Sequence, residues 1–147
     1  MNIVMLDTDT LGNNALSPIT SLGDFQGYPL TGEQDVITRC KGAQVVITNK
    51  VNITAQHMQA LPSLKLICVA ATGTNNVDIA AAKTLGITVC NVAGYSSASV
   101  IQHTFTLMSL LLSNMHRYVW DCGQGAWQNS KMFCRLDYPI EELAGKT

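Results

Sequence analysis

The stretch "LICVAATGTNNVDIAAAKTLGITVCNV", Leu66 to Val92, decides the fold. It opens on an apolar run, passes through a small and polar turn with one glycine, carries a helical segment and closes on a second apolar, β-branched run. "LKLICVA" (64–70) and "GITVCNV" (86–92) read as buried strands. Between them "NVDIAAAKTLG" puts Asp78 in the first turn of a helix and Gly86 just past its end. Strand, helix and strand in that order make a crossover between parallel neighbours.

Working outward, the same alternation continues. "NIVML" (2–6) and "AQVVIT" (43–48) are further strand runs, and Thr54 can cap "AQHMQAL" before Pro62 stops it. "FQGYPL" adds a short edge strand, the one place where Pro29 is tolerated. Residues 1–97 therefore read as an α/β unit, a doubly wound parallel sheet with helices on both faces.

From Ser96 the pattern changes. Ser99 followed by Gln102 forms a capping box, and one helix is predicted from there to about Cys122, with Gly123 at its end. Ile101, Phe105, Met108, Leu112, Met115 and Val119 make one apolar stripe, widened by Val100, Leu107 and Leu111. Such a helix would be roughly 35 Å long and would span two bodies or two subunits. Residues 98–147 are thus a long linker helix followed by "GQGAWQNSKMFCRLDYPIEELAGKT", which has no strong periodicity.

Composition removes several function classes. With 147 residues, a net charge of -1 and a pI near 6.2, the chain has no basic surface for nucleic acid. Asp7 and Asp9 interrupt the opening residues where a signal peptide needs an apolar core, and no run reaches membrane-spanning length, so the expected location is cytoplasmic. Cys40, Cys68, Cys90, Cys122 and Cys134 are odd in number and lack any C-x-x-C pair; they read as reduced thiols, with no metal site.

In a doubly wound sheet, ligands collect at the carboxyl ends of strands, where the ATGTNN turn sits. Gly73 permits a tight backbone there, so the amides of Thr72, Gly73 and Thr74 could curl around a carboxylate or phosphate. Asn75 and Asn76 equally suit an ordinary turn into the helix. The residues alone leave both readings open.

"ATGTNNVDIAAAKTLGITVCNVAGYSSASVIQHTFTLMSLLL" resembles the corresponding stretch of the D-isomer-specific 2-hydroxyacid dehydrogenases, most closely their glycerate dehydrogenase (hydroxypyruvate reductase) branch. "IVMLD", "TNK", "LPSLKLICVAATGTNNVD" and the G-x-W-x-x-S of Gly125 to Ser130 fit that branch in order. The resemblance covers about the first half of a complete family member. It implies a flavodoxin-like substrate-binding domain, a Rossmann cofactor domain of which only the first segment is present, and an active site in the cleft between them. Ala71, Thr72 and Gly73 would hold the substrate carboxylate, with Lys50 near the substrate as a cation. Thr72 and Thr104 would approach an NAD or NADP cofactor, Tyr95 would line the cleft or pack, and the helix region would contribute to a homodimer. The ligand would be a small 2-hydroxy or 2-keto acid.

Hydride transfer also needs a dinucleotide cradle and a proton-exchanging group. The single G-x-G, Gly123 to Gly125, has Gln128 where the third glycine belongs and follows a helix, so it is no fingerprint. In the family the fingerprint follows a segment like "ELAGKT", Glu142 to Thr147, and the catalytic arginine, glutamate and histidine come later. His57, expected on the surface, and His103 and His116, without carboxylate neighbours in sequence, are poor substitutes. The expectation is the substrate-binding portion of an oxidoreductase, with no catalytic residues in this chain and no turnover by the chain alone.

Two readings compete. Asp7 and Asp9 in "IVMLDTDTL" could serve as nucleophile and acid/base of a haloacid-dehalogenase-type phosphatase, although Leu11 stands where Thr or Val is usual. A small-anion-binding or dimerisation module without catalysis is the other.

Overall fold

Runs of β-branched residues form strands when the faces of a sheet can be covered, and the first part of the chain supplies helices from its own crossovers, most of them to one face. The computed structural model describes residues 1–12 and 16–146; Thr147 of the "ELAGKT" segment lies outside them. The chain divides into two units, Met1–Tyr95 and Ser96–Thr147.

The first unit runs β1 (Asn2–Met5), a 3-10 turn (Thr8–Leu11), α1 (Ser17–Thr20), β2 (Asp24–Gly27), a second 3-10 turn (Glu33–Asp35), α2 (Val36–Arg39), β3 (Val45–Thr48), α3 (Ala55–Gln59), β4 (Leu66–Val69), α4 (Ile79–Thr84) and β5 (Thr88–Asn91). All five strands are parallel in the order β2-β1-β3-β4-β5. This is the doubly wound α/β sheet that the alternation predicts. The "FQGYPL" run supplies the edge strand, and Pro29 falls beyond the ladder, its carbonyl accepting from the Asp9 amide at 3.2 Å.

Alternation along each strand splits the core in two. Val4, Val46, Ile67 and Val69 face one way and pack with Val36, Met58, Leu61, Ala82 and Ile87 from the α2, α3 and α4 side. Ile3, Met5, Val45 and Ile47 face the other way, with Ile19, Phe25, Leu66 and Cys68 half-buried against them. That second face holds an apolar hollow of about 350 Å³ bordered by Ile3, Ile19, Leu22, Ile47, Leu66 and Val92.

Local signals behave largely as their chemistry demands. The Thr54 hydroxyl accepts from the His57 amide at 3.3 Å, and His57 Nδ1 accepts from the Thr54 amide at 3.3 Å, a reciprocal cap. His57 is therefore buried, not on the surface as expected, because its ring is folded back over the helix start. Asp78 is the N-cap of α4 rather than a first-turn residue, its Oδ1 accepting from the Ala81 amide at 2.9 Å. Gly86, at φ +70°, follows the helix end, and the Ile87 amide reaches back to the Ala82 carbonyl at 2.8 Å.

The second unit departs from expectation. The predicted single helix is two, α5 (Ser97–Leu112) and α6 (Met115–Gly123). Asn114 adopts a left-handed conformation (φ +49°) and its side-chain amide donates to the Pro139 carbonyl at 2.8 Å, which ends one helix and starts another. The capping box at Ser99 is also absent: Ser99 lies inside the first turn and donates to the Ser96 carbonyl at 2.9 Å. The aperiodic tail is held to α6 by polar contacts. Tyr138 donates to Asp121 at 2.8 Å, Tyr118 donates to the Tyr138 carbonyl at 2.9 Å and Arg135 reaches Asp121 at 3.5 Å, while within the tail Arg135 pairs with Asp137 at 2.6 Å and donates to the Ala126 carbonyl at 3.0 Å. The bond to Asp121 raises the Tyr138 phenol above its usual pKa, and the Asp137 partner raises that of Arg135. Among the described residues no helix is long and apolar enough to cross a membrane, and all five cysteines are free thiols.

Candidate functional site

The carboxyl ends of β1, β3 and β4 each release a loop, and side chains of the first and third bind the backbone of the second. Asp7, directly after β1 and the chain turn at Leu6, is wholly buried. Its carboxylate accepts the Asn49 amide at 3.0 and 2.9 Å, the Lys50 amide at 2.6 Å and the Val51 amide at 3.3 Å. A buried carboxylate is tolerated when amides surround it in this way. The Thr48 hydroxyl reinforces the turn, donating to the Val51 carbonyl at 3.0 Å and accepting from the Val51 amide at 3.1 Å.

The β4 loop is joined to this one. Asn76 Nδ2 donates to the Val51 carbonyl at 3.1 Å and to the Asn49 carbonyl at 3.5 Å. Ile53 and Val77 form an isolated parallel bridge, with the Ile53 amide donating to the Asn76 carbonyl at 2.8 Å and the Asp78 amide to the Ile53 carbonyl at 3.0 Å.

Between the two loops lies a hollow of about 310 Å³ lined by Asn49, Lys50, Asn52, Ala71, Gly73, Asn75 and Asn76. Its wall carries one cation, four side-chain amides and no carboxylate. Lys50 makes no ion pair among the described residues. The backbone amides of residues 71–76 donate to no acceptor among the described residues, whereas those of residues 49–51 are all taken by Asp7 and Thr48. Unpaired amides beside a lysine form a concavity suited to an anion. A neighbouring hollow of about 290 Å³, sharing Lys50 and Asn52, is bordered by Asp7, Thr10, Thr31 and Glu33.

Of the residues singled out from sequence, Lys50, Ala71 and Gly73 border one cavity. Thr72 does not line it: its hydroxyl donates to the Val92 carbonyl at 3.1 Å and its carbonyl accepts from Asn91 Nδ2 at 2.6 Å. Gly73 is not left-handed, but a Cβ there would stand 3.1 Å from Asn75 Oδ1, so the tight approach is real. Thr104 belongs to the second unit and donates to the Val100 carbonyl at 2.8 Å. Tyr95 is exposed. Asp7, as amide acceptor on four hydrogen bonds with no exposed surface, is unavailable as a phosphatase nucleophile. Its structural role escaped the sequence reading, as did the asparagine lining, although the paired "TNK" and "TNN" segments carried the signal for the latter.

Among the described residues none of the strand-to-helix turns carries G-x-G-x-x-G, and Thr72 and Thr104 both give their hydroxyl protons to backbone carbonyls.

Comparison with known proteins agrees with the fold. Residues 5–137 match the catalytic domain of the D-isomer specific 2-hydroxyacid dehydrogenases. The chain is 44% identical over 146 residues to the glycerate dehydrogenase of Methylorubrum extorquens, covering 99% of this chain and 46% of that protein. It is 33% identical over 151 residues to the hydroxypyruvate reductase of Blautia hydrogenotrophica, covering 99% and 47%. The chain thus spans about half the length of these relatives. An acyclic imino acid reductase solved with NADPH and D-arginine superposes with a TM-score of 0.73 at 22% identity, over 85% of this chain and 41% of that one.

Proposed function

Since the chain belongs to the D-isomer-specific 2-hydroxyacid dehydrogenase family, we propose that it is the substrate-binding portion of a glycerate dehydrogenase or hydroxypyruvate reductase, which transfers a hydride between a nicotinamide cofactor and a small 2-hydroxy or 2-keto acid. The observation that carries this reading is the hollow beside Lys50, lined also by Ala71, Gly73, Asn75 and Asn76, whose amides donate to no acceptor among the described residues. A three-carbon keto acid offers a carboxylate to those amides and to the Lys50 ammonium, and amide-rich walls can hold its carbonyl and hydroxyl. Ala71, Thr72 and Gly73 act through backbone N–H groups, so the outward turn of the Thr72 hydroxyl is compatible with this role.

The cofactor, NAD or NADP, is held mainly by elements other than those described, with Thr72 and Thr104 at its margin. The first unit, with the domain boundary near residue 97, is the substrate-binding domain, and the protein works in the cytoplasm. The chain alone binds but does not turn over. Addition of hydroxypyruvate and NADH to the purified chain is expected to give no absorbance loss at the nicotinamide band, while hydroxypyruvate binds and Lys50→Ala weakens that binding about tenfold, equivalent to about 1.4 kcal/mol. Robust NADH oxidation, or binding indifferent to Lys50→Ala, contradicts this.

The second unit pairs two copies of the chain. Phe105, Leu111, Val119 and Trp120 are exposed on α5 and α6, and exposed apolar surface of this kind favours association. Sedimentation is expected to show a dimer at micromolar concentration; a monodisperse monomer contradicts the pairing.

A further inference from the structure

Two neighbouring loops present successive backbone amides at the same end of the sheet, yet only one of them is filled from within. The amides of Asn49, Lys50 and Val51 close on the Asp7 carboxylate, while those of residues 71–76 close on nothing among the described residues. Asp7 is therefore an internal anion in the first amide cradle. Without it, that cradle would compete for the external anion, and the segment bearing Lys50 would lose four of the hydrogen bonds that fix it.

We propose that Asp7 is a positioning residue: it occupies the 49–51 amide cradle and thereby holds Lys50 at the wall of the 310 Å³ anion hollow. This rests on the reading of that hollow as the carboxylate site. Asp7 touches no ligand itself; it acts through Lys50. The buried Thr48 hydroxyl, bonded to both the amide and the carbonyl of Val51, serves the same segment from below without lining the hollow. Asp7→Asn replaces an acceptor oxygen with an NH2 group facing amide donors, so the segment must move. Its main-chain shift carries the Lys50 side chain with it.

The test is a double-mutant cycle read by calorimetric titration of the chain with hydroxypyruvate, each variant first checked for a native amide spectrum. Asp7→Asn is expected to weaken binding about fivefold, Lys50→Ala about tenfold, and the double variant no more than Lys50→Ala alone. A purely structural Asp7 predicts either unchanged affinity or the same fractional loss in both backgrounds, and either result overturns the proposal. Should Asp7→Asn fail to fold, Thr48→Val supplies the same cycle: a loss that vanishes in the Lys50→Ala background supports the proposal, and one that persists overturns it. If the wild-type chain binds and Lys50→Ala weakens it while Asp7→Asn and Thr48→Val do not, the carboxylate site stands and the positioning role falls. Absence of any hydroxypyruvate binding by the wild-type chain overturns both.

Discussion

The two units of this chain are held by different forces. Among the described residues every buried apolar side chain of the core, from Ile3 to Ile87, belongs to Met1–Tyr95. In Ser96–Thr147 no residue of α5 or α6 is buried, and the contacts are a polar cluster around Asp121, Arg135 and Tyr138. The first unit has the makeup of a self-standing domain. The second has the makeup of a surface awaiting cover, with Phe133 and Leu136 almost fully exposed. Hydrophobic burial is what separates them, and it sets how each should respond to change.

The largest contrast is expected from truncation of apolar side chains. Ile67 has no exposed surface, so Ile67→Ala should cost about 2–5 kcal/mol in urea unfolding. Phe105→Ala in α5 should change the stability of the dilute chain by less than about 1 kcal/mol while weakening self-association. Equal losses at both positions would erase the distinction between the units.

Next in size is the break between α5 and α6. Asn114→Ala removes the side-chain bond to Pro139 and leaves the left-handed backbone to a residue that tolerates it less well, at a cost of about 1–2 kcal/mol. Hydrogen exchange should quicken at residues 112–118 and stay unchanged in the sheet.

A pH dependence confined to the first unit is smaller. Burial pushes the Cys40 thiol up to about 11. Between the ordinary thiol pKa and that value the unfolded chain loses this proton and the folded chain keeps it, so stability falls as pH rises through the interval. Cys40→Ala should flatten that slope, measured as midpoint against pH, and iodoacetamide should leave wild-type Cys40 unmodified in the folded protein. The smallest effect belongs to the Lys146–Glu141 pair at 2.6 Å, which lowers the Glu141 carboxyl pKa. Both groups are exposed, and Glu141→Gln should leave thermal stability unchanged within error.

Much of this architecture is legible in the sequence because strand formation depends on local composition. "VVIT" and "LICV" announce themselves by β-branched residues, and Gly86 by the need for a left-handed residue after α4. Lys50, Ala71 and Gly73 came together through the resemblance to the dehydrogenase family, and the parallel strand order explains why they meet, since each follows a strand at the same sheet end. What stayed hidden depended on partners distant in sequence or on a single torsion. Asp7 meets amides 42 to 44 residues away, and no local pattern marks such a bond. His57 looked like a surface residue because a histidine at the third helical position seldom folds back on its cap. Asn114 broke the long apolar stripe by one φ angle while the stripe itself ran on across it.

The hollow between the Lys50 segment and residues 71–76 of the first unit is expected to bind an anion. The most direct measurement is an amide spectrum of the isotopically labelled chain during titration with hydroxypyruvate. The account predicts saturable shifts at Ala71 to Asn76 and at Lys50, with the core amides of Ile67 and Val46 and those of α5 and α6 unmoved. Shifts concentrated elsewhere, or none at concentrations where a weak carboxylate ligand should saturate, would contradict it.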